Sequence, residues 1–280
     1  VDIVMKVNTD RTLTAQKPSY QHFIHALLCI IVVLASYMST EGNSRTEAKS
    51  TDLVSESQQI RNRGKHFGSS FSSSQDFYKA YKEIESTYYQ AAFAQSAQDT
   101  WKILAQNDGV EVALMEHPSD ASCPYVRMKA EINVPVNDCW DFLALENWHR
   151  TMPKMDPFYE GVTTYGEYSY RNVNMILARK RTKRILTFEK RDFVFLSVSD
   201  EPKDDGTLVS GSVTIQAVDI PRMKGYVRAF QDSIAFYKPL SEEKTEITIV
   251  CRIDLNDRDG TGGNIPMVCG FVFSAGSRLQ

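Results

Sequence analysis

From Phe77 onward the apolar positions recur first at helical and then at strand spacing. Phe77, Tyr81, Ile84 and Tyr88 follow at intervals of four, three and four, one face of a helix, and Phe93, Ala97, Trp101 and Leu104 continue it slightly rotated. Ser73-x-x-Asp76 opens this helix as a capping box, and Asn107-Asp108-Gly109 closes it. The period then changes to two. The pattern predicts strands over Val110–Glu116, Tyr125–Val134, Gly161–Tyr165, Tyr168–Ala178 and Arg184–Phe188. Further strands follow over Asp192–Ser199, Leu208–Val218, Tyr226–Phe230, Ser233–Leu240 and Glu246–Leu255. One helix interrupts, opened by Pro135-Val136-Asn137-Asp138, with Val136, Trp140, Leu143 and Trp148 roughly on one face. Pro266 starts a last helix after the Gly- and Asp-rich stretch 257–264, and the order of elements is an α+β pattern. Val213, Ile215 and Ala217 alternate with Thr214 and Gln216, while Ile247, Ile249, Cys251 and Ile253 alternate with Thr248 and Arg252. A sheet apolar on one side needs a cover, and the terminal helices are what the chain offers.

Upstream the pattern differs. Phe23–Met38 is an apolar run of about 16 residues, short of the ~20 that span a bilayer. Lys6, Arg11 and Lys17 precede it. Three readings stand: a signal anchor, a cleaved signal peptide, or translation from Met38. From Ser39 to about Ser74 the chain is polar, too poor in apolar surface to offset ordering entropy. The expected division is an apolar leader over 1–37, a linker over 38–73 and one domain over 74–280.

Composition narrows the function classes. Of 280 residues 42% are hydrophobic and 24% charged, ordinary for a globular chain. The 32 basic and 35 acidic residues leave a net charge of −3, so no bulk field holds nucleic acid. Cys29, Cys123, Cys139, Cys251 and Cys269 form no CxxC pair, which argues for reduced thiols and a cytoplasmic setting. No Asn-x-Ser/Thr acceptor occurs. His22, His25, His66, His117 and His149 form no HExxH, and no G-x-S-x-G elbow is present, so neither a metal site nor a nucleophile is expected. Glu146, Asp156 and Glu160 read as surface carboxylates. No cofactor is called for, and the expected state is a monomer.

Three motifs carry a family resemblance. Arg191-Asp-Phe-Val194 follows a basic strand; Pro221-Arg-Met-Lys-Gly-Tyr-Val-Arg-Ala229 is a loop and strand; and Thr245–Asp254 is followed by Gly262-Gly-Asn-Ile-Pro266. In this order and over about 200 residues the chain resembles the START (StAR-related lipid transfer) domain. The resemblance implies a helix-grip fold, a curved antiparallel sheet wrapped around a C-terminal helix with an internal apolar cavity. It also implies a non-enzymatic protein that binds one lipid and transfers it between membranes or senses it. The other readings are a ligand-free interaction module and a helix-grip hydrolase or cyclase.

On this resemblance the expected cavity residues are Phe193, Phe195, Ser197, Val213, Ile215, Arg228, Ile249, Cys251, Val268, Phe271 and Val272. Ile220, Pro221 and Met223 would form a gating loop apolar enough to touch a bilayer interface. Ser197 stands where sterol-binding members carry a buried Arg, and Met155-Asp156 replaces the family's Trp-Asp. The basic run Arg179, Lys180, Arg181, Lys183 and Arg184 reads as a solvated hairpin, as an anionic-membrane contact or as a nuclear address. Asp192 and Arg228, each inside a motif strand, read as members of a structural salt bridge or as a headgroup anchor.

Overall fold

The computed structural model describes residues 73–254, apart from 99, 108, 117–122, 157, 185–188 and 216–219. The leader with Phe23–Met38, nearly all of the linker, and the C-terminal helix with Val268, Phe271 and Val272 lie outside the described residues.

Helix α1 spans Ser74–Phe93. The Ser73 hydroxyl accepts from the Asp76 amide at 3.2 Å and donates to Asp76 Oδ2 at 2.8 Å, so the cap works as read. The helix ends at Ala94 rather than at Leu104. After a single turn, α2 (Gln95–Gln98), the chain enters β1 (Lys102–Asn107) and turns into β2 (Val110–Met115). Asn107 faces Val110 across that pair, and Gly109, just before Val110, takes the left-handed conformation at φ 79°. A bulge between Ile103 and Ala105 breaks the alternation that would otherwise mark β1 as a strand. Trp101 Nε1 donates to the Ala91 carbonyl at 2.9 Å, and Arg127 stacks over the Trp101 ring while donating to Gln98 at 2.9 Å. The C-terminal end of α1 is thus tied to the sheet.

The remaining elements are β3 (Tyr125–Ile132), α3 (Val136–Leu143), a 3-10 turn (Leu145–Asn147), α4 (Trp148–Met155), β4 (Tyr159–Tyr170) and β5 (Val173–Thr182). Then come β6 (Lys190–Ser199), β7 (Leu208–Thr214), β8 (Tyr226–Ser241) and β9 (Lys244–Asp254). The nine strands of the described residues form one sheet in the order β1-β2-β3-β9-β8-β7-β6-β5-β4. Neighbours run antiparallel with one exception. Where β7 stops at Thr214, β8 continues past it and pairs in parallel with β6, Lys190–Phe193 against Tyr226–Ala229.

Three strand boundaries differ from the pattern. Gly166 interrupts no strand: it sits at a bulge in β4, and the hairpin turns at Arg171 and Asn172, both left-handed at φ 49° and 61°. Gln231 and Asp232 do not split β8, because Asp232 is buried inside the sheet and hydrogen-bonded. The strand expected at 184–188 has Arg184 outside any element, and its other residues lie outside the described set. Helix α4, with Pro153 inside it, went unread because proline usually breaks a helix.

Helix α1 lies across one face of the sheet. Phe77 meets Tyr168 at 4.8 Å, Tyr78 meets Tyr170 at 5.1 Å and Tyr88 meets Tyr125 at 5.4 Å, which carries the contact from β4 across to β3. In the middle Tyr81 lies over Gly211, whose added Cβ would stand 3.0 Å from the Tyr81 ring. Beneath the helix Leu196, Val198, Val213, Ile234 and Val250 are at most 1% exposed. This face is a closed core.

The far face of the sheet as candidate functional site

The opposite face is built differently, and register defines it. Ser197 stands opposite Ile176 and Ser212, Ser212 opposite Ser233, Ser233 opposite Cys251, and Cys251 opposite Val126. Paired residues in a sheet share a face, so these side chains form one row across β5, β6, β7, β8, β9 and β3. The neighbouring row runs Asn174, Ser199, Ser210, Ala235, Ile249 and Met128.

Walls rise around these rows. At one end α3 and α4 bring Trp140, Phe142, Leu143 and Met152 onto Ala235, Tyr237 and Ile247. Leu145 and Trp148 pack on Ala178, Phe193 and Phe195, with the Trp148 and Phe195 rings 5.6 Å apart. On the other side Val112, Leu114, Val126 and Met128 close a cluster with Leu104, Ala105, Ile249 and Cys251. Between the walls Ile176, Ser197, Ser212, Ser233, Ile249 and Cys251 stay half-buried. The two faces of the same strands therefore differ: sealed under α1, and half-open and partly polar on the far side.

Of the residues expected to line a cavity, Phe193, Phe195, Ser197, Ile249 and Cys251 share this far face. Val213 and Ile215 do not. Val213 pairs with Leu196, not with Phe195 or Ser197, and both Val213 and Ile215 are buried in the cluster under α1. Alternation selects the apolar Val213 and Ile215, whereas register turns the serines of β7 to the far side. Those serines, Ser210 and Ser212, together with Ser199, Ser233 and Tyr237, were missed. Their signal was the polar half of the same alternation, which reads equally well as a solvated face.

Arg228 also lies away from the far face. It pairs with the fully buried Asp192, Nη2 to Oδ2 at 2.9 Å, and Arg179 approaches the same oxygen at 3.3 Å. Both guanidiniums donate to the Pro221 carbonyl, Arg228 at 3.4 Å. The loop expected to gate is thereby pinned at its start. Ile220 is buried in the α1-side cluster rather than offered to a bilayer, Pro221 is exposed and Met223 half-exposed. Gly225, at φ 81°, sits inside a turn in which the Tyr226 amide donates to the Met223 carbonyl at 3.2 Å.

The basic run is not a solvated hairpin. Arg179 is buried on Asp192; Lys180 pairs with Asp156 at 3.0 Å; and Arg181 lies against Gly161. Lys183 and Arg184 are exposed. Asp156 also accepts from the Phe158 amide at 2.9 Å, so the residue after Met155 braces the entry to β4.

Two titratable groups of the far face stay neutral. Burial, with Cys123 alongside, pushes the Cys251 thiol up to about 12, and burial pushes the Tyr237 phenol up to about 12 against the hydrogen bond with Ser210. Both stay protonated at neutral pH. Among the described residues no group of His, Cys, Asp and Glu is placed to hold a metal ion. No described helix is long and apolar enough to cross a membrane.

Among solved structures the fold is similar to human StAR-related lipid transfer protein 5, at TM-score 0.55 and 19% identity over 69% of this chain and 90% of that one. It is also similar to human STARD10, at TM-score 0.55 and 14% identity over 70% of this chain and 76% of that one. At such identity these likenesses speak for the fold alone. A search of curated proteins finds no match. The START domain family profile matches residues 84–267, more than half of the chain. The chain therefore belongs to the START domain family, and the nine-stranded sheet of the described residues with its covering helices agrees with that.

Proposed function

We propose that this protein holds one lipid against the far face of its sheet and carries it between membranes or senses it, without catalysing a reaction. The family as a whole is one of lipid binding and transfer, and the reading for this chain rests on one observation. The same strands are sealed on the α1 side but half-open between Trp148, Trp140 and Val126 on the other. An acyl chain laid there gains about 0.8 kcal/mol per buried methylene, so an 18-carbon chain offers on the order of 10 kcal/mol before ordering costs. That suffices for capture with no chemical step. A carrier of this kind works in the aqueous phase beside a membrane, and a cytoplasmic setting with reduced thiols fits it.

Native mass spectrometry with lipid extraction tests this on the full chain purified from a eukaryotic host. One stoichiometric lipid is the expected result. A folded protein that stays empty after incubation with vesicles would instead make the chain a ligand-free interaction module.

A further inference from the structure

The half-open face has a polar centre that an acyl chain does not need. Ser197, Ser212 and Ser233 stand side by side on three adjacent strands. With strands about 4.8 Å apart, the three hydroxyls span about 10 Å. Among the described residues none of these hydroxyls has a hydrogen-bond partner, in contrast to Ser210, which meets the Tyr237 hydroxyl at 3.2 Å. All three residues are half-buried, and their hydroxyls stay accessible from the open side, where a ligand can reach them. Small size alone would be met by alanine, which leaves no hydroxyl to satisfy.

Charge is missing from the same place. Among the described residues no charged side chain stands on the two rows between β5 and β3; the serine row meets charge only at its ends, at the exposed Glu167 on β4 and the exposed Lys102 on β1. The cation nearest the serines on this face, among the described residues, is Lys180, which Asp156 already neutralises at 3.0 Å. A phosphate brought to the serine row would lose its hydration without a counter-charge among the described residues. An uncharged oxygen pays far less and gains a hydrogen bond. The number of hydroxyls matters as well. A ligand with a single terminal hydroxyl can engage one serine, whereas three in a row fit a group carrying several oxygens within about 10 Å.

We infer that the ligand is a neutral lipid with clustered uncharged oxygens, a glyceride or a ceramide, held at Ser197, Ser212 and Ser233. This rests on the lipid-carrier reading above and narrows it. The full chain is incubated with phosphatidylcholine vesicles alone, or with dioleoylglycerol, ceramide or cholesterol added, then recovered and weighed by native mass spectrometry. The expected result is loading with dioleoylglycerol or ceramide in preference to phosphatidylcholine and cholesterol. Ser197→Ala, Ser212→Ala and Ser233→Ala should each weaken that loading about fivefold, with Ser212→Thr, which keeps a hydroxyl, close to wild type. Circular dichroism and melting of each variant report whether the fold is intact. Preferential loading with phosphatidylcholine or cholesterol, or alanine variants that load like wild type, would overturn this inference and leave the carrier reading standing. No loading from any vesicle would overturn both.

Discussion

Arg228 grips Asp192 with two nitrogens, Nη2 at 2.9 Å and Nε at 3.1 Å, across the short parallel register where β8 replaces β7 beside β6. The carboxylate is fully buried and Arg179 shares it, so the cluster places two guanidiniums on one acid, and each also donates through Nη2 to the Pro221 carbonyl. The roles are unequal. Asp192→Asn removes the acid shared by the buried Arg179 and the half-buried Arg228 and should cost about 3–5 kcal/mol in urea unfolding. Arg228→Met leaves Arg179 on the carboxylate and should cost less. Equal losses would show that Arg179 takes no share of the charge.

The two faces of the sheet can be separated by mutation. Ile215 is 2% exposed and belongs to the α1-side core. Ile215→Ala should therefore lower stability by about 2–5 kcal/mol while lipid loading per folded molecule stays unchanged. Phe195→Ala removes a ring from the far face that stacks on Trp148, and should reduce loading as well as stability. A loading defect in Ile215→Ala at full folding would place the ligand on the wrong face.

Docking of α1 depends on one absent side chain. A Cβ at position 211 would meet the Tyr81 ring and Ile234 Cδ1, both at 3.0 Å, and Tyr81 cannot easily yield because its hydroxyl donates to Asp200 at 2.9 Å. Gly211→Ala should cost about 1–3 kcal/mol. Relieving the contact with Tyr81→Leu in the same chain should recover part of that loss. Thermal melts of the single and double variants would reveal this coupling, and strict additivity would rule it out.

Asp232 gives the protein a pH signature. Its carboxylate accepts from the Thr214 amide at 2.8 Å, and burial pushes the carboxyl up to about 6, with that amide, the Thr214 hydroxyl and Arg252 pulling the other way. Tyr88 and Tyr125 are the other titratable groups beside it. The folded value lies above the ordinary 3.8, so the native state holds a proton that the unfolded chain releases. The contribution of this group to stability therefore rises as pH falls through about 6 and levels off below about 4. Asp232→Asn keeps an acceptor for Thr214 without the charge. At pH 7 it should be the more stable protein by up to about 3 kcal/mol, the gap closing toward about pH 4. Urea titrations across that range test it, and a gap that widens on acidification would reverse the sign.

Contact with an anionic surface, if the basic run makes one, falls to Lys183 and Arg184, the exposed members. Replacing each by Gln should weaken flotation with phosphatidylserine vesicles about fivefold. Lys180→Gln, at a residue paired with Asp156, should leave it nearly unchanged. Equal effects at all three positions would mean that the pairing opens at the membrane.

Local pattern alone was enough to identify most of the strands, the N-terminal cap at Ser73, the α+β class and, through Arg191–Val194, Pro221–Ala229 and Thr245–Asp254, the family. These features depend on spacing within short stretches, where period two and period 3.6 leave distinct marks. The bulges at Ala105 and near Gly166 blurred that mark, as did the non-glycine turn at Arg171 and Asn172 and the buried charge at Asp232. Tertiary structure decided which half of each alternation faces the core. Alternation fixes only the relative phase along one strand, whereas the face is set by register with neighbours distant in sequence. That is why Val213 and Ile215 went under α1 and Ser212 came to stand between Ser197 and Ser233. It is also why the basic run, uniform as a string of charges, divided into a buried pair with Asp192, a bridge to Asp156, a half-buried Arg181 against Gly161 and two exposed side chains.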